Sequence, residues 1–133
     1  MGYAFTLGFK VRDYECDLQG IVNNSVYQNY LEHTRHEFLL SRGISFAEMT
    51  RRGIHLVVVR VEIDYKMSLV SGDEFWIGLN VARKSKVRGV FSQNIYRHRD
   101  QRLALTANVE WTALNAKGRP FQAPELESIF DGE

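Results

Sequence analysis

The stretch from Asp13 to Arg42, DYECDLQGIVNNSVYQNYLEHTRHEFLLSR, decides the fold because the hydrophobic period changes within it. From Asn24 onward, apolar side chains recur at helical spacing, which predicts an amphipathic helix that ends near Arg42. Gly43 follows at once and predicts a C-terminal cap. The predicted inner face of the helix consists of Val26, Tyr27, Tyr30, Leu31, Thr34 and Phe38.

On either side of this helix, apolar and polar residues alternate, as is typical of half-buried strands. Five strands are predicted, at residues 3–12, 54–66, 75–81, 87–98 and 103–113. The last four are joined mainly by tight turns, and such short links force antiparallel pairing. One face of the second strand is predicted to carry Val57, Val59, Val61, Ile63 and Tyr65.

Together these elements predict an α+β domain in which one long helix packs against a curved five-stranded antiparallel sheet. We expect a single domain over residues 1–133, because a chain of this length buries a sufficient core without a second domain. Residues 44–52 are expected to form one or two short turns. The tail from about residue 119, which holds Pro120 and Pro124, is expected to be irregular.

The composition is that of a soluble globular protein, with 44% hydrophobic and 25% charged residues. The formal net charge of +1, without a stacking-aromatic motif beside the basic residues, argues against nucleic acid as a partner. Cys16 is the only cysteine, so no internal disulfide can form and a reducing, cytoplasmic setting is expected. We expect neither a signal peptide nor a membrane span, since no apolar run approaches roughly 18 residues.

Asp17 lies in the predicted loop that leads into the start of the helix. The first amides of a helix have no partners within the helix and carry partial positive charge, so they can bind a developing oxyanion. A thioester carbonyl held by the amide of Asn24, with that of Ser25 as a second candidate, would leave Asp17 able to attack it or to activate water. Gly20 would let the backbone and a substrate approach closely.

The segment from Asp17 to Arg35, DLQGIVNNSVYQNYLEHTR, resembles the helix motif of the 4-hydroxybenzoyl-CoA thioesterase-like hotdog family. By strand order the resemblance covers about residues 3–118. In its details the motif is most similar to that of plant plastid single-hotdog acyl-ACP thioesterases, and residues 71–75, SGDEF, match a turn that both groups carry. Asn23 and Asn24 depart from many bacterial acyl-CoA members, which have Tyr followed by His or Phe, so an aromatic-CoA substrate is less expected.

The resemblance implies a hydrolase of fatty or polyketide-derived acyl thioesters of CoA or acyl carrier protein that needs no metal or redox cofactor. It makes Asp17 the catalytic nucleophile or general base and the amide of Asn24 the oxyanion donor. It also implies a homo-oligomer, a dimer and then a tetramer built as a dimer of dimers. Basic side chains are candidates for contact with these anionic carriers. The predicted substrate contacts are Gly20, Asn23, Ser25, Tyr27, Arg83, Lys84 and Lys86.

These predictions compete with structural interpretations of the same residues. Asp17 can stabilise the helix dipole, and Asn23 or Asn24 can cap the helix. Glu32 and Arg35 can form an i,i+3 pair on the helix surface. The two tyrosines on the apolar face fit core positions, and the basic residues near residues 83–88 fit solvated hairpin ends.

Other site classes fit the sequence less well. The order His33-x-x-His36-Glu37 matches no zinc motif, and G-x-S-x-G is absent. Hotdog hydratases carry a histidine five positions after the aspartate, where this chain has Val22. Asp17 argues against the acid-free mechanism of some polyketide-releasing thioesterases. A non-catalytic acyl-thioester binding module and an aromatic acyl-CoA thioesterase stay as alternatives.

Overall fold

The computed structural model describes residues 2–130, and within that range it contains six strands, two α-helices and two 3-10 helices. The strands are β1 (Phe5–Lys10), β2 (His55–Tyr65), β3 (Glu74–Arg83), β4 (Arg88–Arg97), β5 (Leu103–Leu114) and β6 (Pro120–Phe121). The α-helices are α1 (Asn24–Ser41) and α2 (Phe46–Arg51), and the 3-10 helices span Asp13–Glu15 and Pro124–Phe130.

The strands form one sheet in the order β1-β3-β4-β5-β2, and all of these neighbouring pairs are antiparallel. β1 and β2 are therefore the edge strands, while the two-residue β6 pairs with the end of β5. The five predicted strands, their antiparallel direction and the α+β class are confirmed. The sixth strand was not predicted, because two residues are too few to show an alternating pattern.

Helix α1 covers one face of the sheet through the apolar side predicted for it. Its residue Leu31 belongs to the same buried cluster as Ile77, Ile95 and Leu105 from the three central strands. Burial of each such side chain stabilises the fold by about 1.5 to 3 kcal/mol. The position of the helix relative to the sheet is thereby set by packing along most of its length.

The end of α1 has the predicted glycine cap. Gly43 has a φ of 78°, and its amide donates a hydrogen bond to the carbonyl of Leu40 at 3.0 Å. The amide of Ile44 donates to the carbonyl of Leu39 at 2.9 Å, which completes a Schellman motif. Only a residue that adopts the left-handed conformation easily can make this turn, so glycine at position 43 is required by the backbone.

A β-bulge in β2 corrects the prediction that Val57 and Val61 share a face. The register of β2 against β5 shifts between Val58 and Arg60, so that Val58 pairs with Trp111 while Val61 pairs with Val109. Paired residues point to the same side of a sheet. Val58 therefore lies on the face that α1 covers and Val57 on the other, because the extra residue reverses the alternation.

Two further expectations were wrong or incomplete. Residues 44–52 contain a true short helix, α2, whose N-cap Ser45 accepts a hydrogen bond from the amide of Glu48. The tail is not irregular, since the 3-10 helix Pro124–Phe130 buries Leu126 and Ile129 in the core. The two prolines made this tail look irregular in the sequence. Its apolar residues are buried only because the folded sheet provides a surface for them to pack on.

The sheet has two ends that matter for the site. Lys10 of β1 pairs with Glu74 of β3 at the near end, where β2 also finishes at Tyr65. The ring of Tyr65 contacts that of Tyr27 in the first turns of α1, with centroids 5.7 Å apart, so α1 begins at this near end. The far end carries the β3–β4 turn, which follows Arg83.

Candidate active site

A short hairpin connects the end of β1 to the start of α1. The amide of Asn23 donates to the carbonyl of Glu15, and Cys16 forms an antiparallel bridge with Val22. At the tip, the amide of Asp17 donates to the carbonyl of Ile21 at 2.9 Å. Asp17 is therefore carried on one arm of a hairpin whose other arm runs directly into the helix.

The carboxylate of Asp17 is oriented by its own turn. Its Oδ1 accepts hydrogen bonds from the amide of Gln19 at 2.9 Å and from that of Ile21 at 3.4 Å. Within residues 2–130, Oδ2 accepts no hydrogen bond, and the residue is exposed. Gly20 completes the turn with a φ of 82°. One carboxylate oxygen is thus fixed in place while the other is presented to a ligand.

The first turn of α1 supplies one unpaired amide. The side chain of Asn23, the N-cap, accepts hydrogen bonds at 3.2 Å from both the amide and the hydroxyl of Ser25. The amide of Val26 donates to the carbonyl of Asn23. Among the described residues the amide of Asn24 has no acceptor, whereas that of Ser25 is occupied by the cap. Of the two predicted oxyanion donors, Asn24 is therefore the one that is free to bind a ligand.

Glu15 is a component of the site that the sequence did not reveal. Its side chain is nearly buried, the whole residue being 9% exposed, and its Oε1 accepts hydrogen bonds from the hydroxyl of Tyr30 at 2.7 Å and from the amide of Arg12 at 2.9 Å. Burial and this carboxylate raise the pKa of Tyr30. Glu15 thus fixes the base of the hairpin to α1 two residues before Asp17. No local pattern marks it, because its partner lies fifteen residues away on the helix.

Tyr27 fixes the opposite side of the hairpin. It is buried, and its hydroxyl accepts a hydrogen bond from the amide of Leu69 at 2.9 Å. The carbonyl of Leu69 in turn accepts the amide of Val22 at 2.9 Å, and Val70 forms a bridge with Ile21. The hydroxyl of Tyr27 therefore contacts the protein, and its predicted contact with substrate stays a prediction.

The three basic residues predicted to contact the substrate lie far from Asp17 within one chain. Arg83 ends β3, nine residues from the near end, which corresponds to about 30 Å of strand. Its guanidinium pairs with Glu127 and lies 4.3 Å from the centroid of the Phe130 ring, while Lys84 pairs with Glu110. A single chain does not bring Arg83, Lys84 or Lys86 to the proposed reaction centre.

The predicted pair between Glu32 and Arg35 does not form. Glu32 contacts His36 instead, at 3.7 Å, and Arg35 donates to the side chain of Gln93 at 3.1 Å. Burial and the nearby carboxylates, including Asp17, raise the pKa of the Cys16 thiol, which disfavours its thiolate form. Within the described residues, no group of three or more His, Cys, Asp and Glu side chains is placed to hold a metal ion.

A turn-held carboxylate on a hairpin that leads into a helix start, where the Asn24 amide has no acceptor among residues 2–130, suits acyl transfer. Comparison with known proteins decides the family. Residues 11–129 match the model of the thioesterase-like superfamily. The chain belongs to the thioesterase-like superfamily. It is 40% identical over 131 residues to the chloroplastic acyl-acyl carrier protein thioesterase ATL2 of Arabidopsis thaliana, covering 98% of this chain and 70% of that protein.

This thioesterase-like protein is also similar to a bacterial acyl-CoA thioesterase in sequence and to a solved thioesterase in structure. It is 30% identical over 118 residues to the long-chain acyl-CoA thioesterase FadM of Escherichia coli, covering 89% of each chain. The crystal structure of a 1,4-dihydroxy-2-naphthoyl-CoA thioesterase from Synechocystis superposes with a TM-score of 0.90 at 18% identity, over 96% of this chain and 95% of that one. The latter similarity confirms the predicted hotdog fold. No helix within residues 2–130 has the length and apolar character needed to cross a membrane.

Proposed function

We propose that this thioesterase-like protein hydrolyses an acyl thioester of CoA or acyl carrier protein to a free carboxylic acid, with a fatty or polyketide-derived acyl group. The observation that carries the proposal is the hairpin that joins the free Oδ2 of Asp17 to the free amide of Asn24. Relatives that are named as thioesterases act on each type of carrier. The carboxylate supplies a base or nucleophile and the amide supplies a hydrogen-bond donor for the oxyanion, so the proposed reaction uses no cofactor.

The proposed reaction begins with the thioester carbonyl oxygen accepting a hydrogen bond from the amide of Asn24. As a nucleophile adds to the carbonyl carbon, negative charge moves onto that oxygen, where the amide and the dipole of α1 stabilise it. The tetrahedral intermediate then expels the thiolate, which takes up a proton. Water and thioester are consumed, and acid and thiol are released.

Asp17 has two possible roles in this scheme, and both suit its geometry. As a general base, Oδ2 removes a proton from the attacking water. As a nucleophile, Oδ2 bonds to the acyl carbon, and water then hydrolyses the resulting anhydride. A single turnover in H₂¹⁸O separates them when water attacks the anhydride at the Asp17 carbonyl, because the heavy oxygen then enters Asp17 itself rather than the released acid.

The test of the proposed function is hydrolysis of matched acyl-CoA and acyl carrier protein series by the wild type and Asp17→Asn. The wild type should turn over members of at least one series, and Asp17→Asn should lose at least about 100-fold in kcat. Asp64→Asn is the matched control, since Asp64 is an exposed aspartate on β2. A protein that binds acyl thioesters without turnover, or an Asp17→Asn variant with near wild-type turnover, would refute the assignment.

We further propose that the protein is a homodimer, which associates further into a tetramer. The edge strand β2 is eleven residues long, and four of its apolar residues are substantially exposed, Val58, Val59, Val61 and Tyr65. A long edge with apolar exposure is a surface that a second copy can cover. Sedimentation of the wild type and of Val61→Lys tests this, since a charge at the centre of β2 should favour the monomer.

Antiparallel pairing of two β2 strands would also give the basic β3–β4 turn a role. Such a pair places the far end of one sheet beside the near end of the other. Lys84 and Lys86 of one copy would then lie on the side of the dimer that carries Asp17 of the other, where the anionic carrier enters.

The single unpaired cysteine, Cys16, supports the proposal that this single-domain protein works in the cytoplasm.

A further inference from the structure

Arg35 places a guanidinium in an unusual environment beneath α1. Its Nη1 donates to Oε1 of Gln93 at 3.1 Å, and the fully buried Gln93 is itself held by a hydrogen bond to the carbonyl of Leu31 at 3.0 Å. Burial lowers the pKa of Arg35. Within residues 2–130 no carboxylate oxygen lies within 4 Å of this guanidinium, because Glu32 turns toward His36. Arg35 is therefore a partly buried cation whose one side-chain acceptor among the described residues is neutral, and the charge of the nearby Glu32 offsets part of the lowering of its pKa.

Most donors of this guanidinium have no acceptor among residues 2–130. A guanidinium has five N–H donors, and one of those of Arg35 donates to Gln93. The remaining donors are therefore available to a ligand that brings an oxygen atom to them.

A cavity of about 100 Å³ lies beside Arg35 and suits an apolar ligand with one polar group. Trp111 lines it too, and its buried Nε1 has no acceptor among the described residues. Glu32 and His36 also line this cavity. Most of the remaining wall is apolar, contributed by Leu39, Phe46, Leu56, Val58, Phe91 and Ile129.

An apolar row leads along β2 from the proposed reaction centre to this cavity. Tyr65 contacts Tyr27 near the start of α1, and Val58 lines the cavity at the other end. Between them Ile63 and Val61 point to the same face, and the exposed fractions of Tyr65, Val61 and Val58 are 48%, 40% and 48%. Arg35 follows Asn24 by eleven residues, which is about 16 Å along the helix axis.

We propose that the acyl chain of the substrate lies along this row, enclosed between the two copies of the proposed dimer, and that Arg35 binds an oxygen atom at its far end, a carboxylate or, more weakly, a hydroxyl. The inference rests on the proposed function and names its substrate class. Carbon–carbon bonds of about 1.5 Å at tetrahedral angles advance an extended chain by about 1.3 Å per carbon, so a span of about 16 Å corresponds to roughly a dozen carbons. A carboxylate both accepts several donors and neutralises the cation, so ω-carboxyacyl thioesters are the preferred substrates.

The experiment compares the CoA thioesters of dodecanoic, 12-hydroxydodecanoic and dodecanedioic acids as substrates. The wild type should show a kcat/KM for the ω-carboxy chain about tenfold above that for the plain chain, with the ω-hydroxy chain between them. Arg35→Met should abolish this preference, and Arg35→Lys should reduce it. Trp111→Phe, which removes only the indole donor, should lower the ratio less than Arg35→Met does.

Several results overturn the inference. The first is a wild-type preference for the plain chain. The second is an Arg35→Met variant in which the ratio of kcat/KM for the ω-carboxy chain to that for the plain chain equals the wild-type ratio, whether or not the variant also dissociates the oligomer. If Arg35→Met does not fold, Arg35→Lys carries the same comparison. Hydrolysis of shorter acyl thioesters but of none of the three chains also refutes the inference while the proposed function stands. If no thioester at all is hydrolysed, the proposed function itself fails.

Discussion

Tyr30 donates a 2.7 Å hydrogen bond to the nearly buried carboxylate of Glu15, and this bond ties the loop that carries Asp17 to the helix that carries Asn24. Tyr30 is itself fixed by packing on Phe9 and Phe75, with ring centroids 5.4 and 4.8 Å away. The spacing between the two proposed reacting groups thus depends on a contact in which neither takes part.

Tyr30→Phe tests that dependence. The variant keeps the ring and leaves the Glu15 carboxylate short of one donor, so the free energy of unfolding should fall by about 1 to 3 kcal/mol. Because the hairpin loses its attachment to α1, kcat should fall between about 10- and 100-fold while KM changes little. Chemical denaturation and steady-state kinetics measure the two effects.

Tyr96→Phe is the matched control, since Tyr96 loses a hydroxyl contact to Tyr3 without touching the hairpin. It should leave kcat unchanged. Glu15→Met should lower kcat as Tyr30→Phe does, and the double variant should fall little further, because both substitutions remove the hydrogen bond between these two side chains. If the fold decrease in kcat of the double variant equals the product of the two single decreases, the two residues act separately.

The N-cap of α1 provides a second prediction. Asn23→Ala removes the side chain that accepts the amide and hydroxyl of Ser25, and the free energy of unfolding should fall by about 1 kcal/mol. The freed Ser25 amide and the altered start of the helix should also raise KM for the thioester. Thermal denaturation and initial-rate kinetics check the two outcomes.

Ser45→Ala is the comparison for Asn23→Ala, because it removes the N-cap of α2. Ser45→Ala should lower the free energy of unfolding by a similar amount and leave KM unchanged. An equal change of KM in both variants would show that the effect of Asn23 is one of general stability.

The turn after Asp17 depends on the backbone of Gly20. Its φ of 82° is one that L side chains adopt only with strain, although the space around the α-carbon is open. Gly20→Ala should therefore destabilise the fold by about 1 to 2 kcal/mol and displace the Asp17 carboxylate, with a loss of kcat.

Gly8→Ala separates this effect from the general cost of replacing a glycine. Gly8 lies in β1, has no positive φ and is equally open around its α-carbon. It should tolerate alanine with a change in the free energy of unfolding of less than about 0.5 kcal/mol. Equal tolerance at both positions would contradict the required conformation at Gly20.

The β4–β5 turn predicts a pH dependence of stability. Hydrogen bonds from Arg97 lower the pKa of Asp100 from 3.8 to about 2. Because the folded-state pKa is the lower one, this stabilisation is complete above about pH 4 and is lost as the pH falls toward 2. The difference in thermal midpoint between the wild type and Asp100→Asn should be constant above pH 4 and shrink below it.

Asp64→Asn again serves as the control, because Asp64 is exposed and forms no salt bridge within residues 2–130. Its midpoint should follow that of the wild type across the same range. A difference between wild type and Asp100→Asn that is undiminished at pH 2 would contradict the assignment of the stabilisation to the ionised carboxylate.

The sequence by itself determined the five long strands and helix α1 of this protein, together with the local part of its candidate site. Strands and helix follow from the hydrophobic period, which is a property of neighbouring residues, and the caps at Asn23 and Gly43 follow from backbone geometry that only certain residues adopt. The eight residues from Asp17 to Asn24 form a single hairpin turn into a helix, so their proximity needed no long-range contact.

The tertiary structure decided everything that depends on partners distant in the chain. It paired Glu15 with Tyr30, turned Arg35 away from Glu32 toward Gln93, and buried the tail. It also put the basic β3–β4 turn at the opposite end of the sheet from Asp17. These outcomes depend on strand register, on the bulge in β2 and on which donor and acceptor meet once the helix packs, and none of them leaves a periodic signal in the sequence.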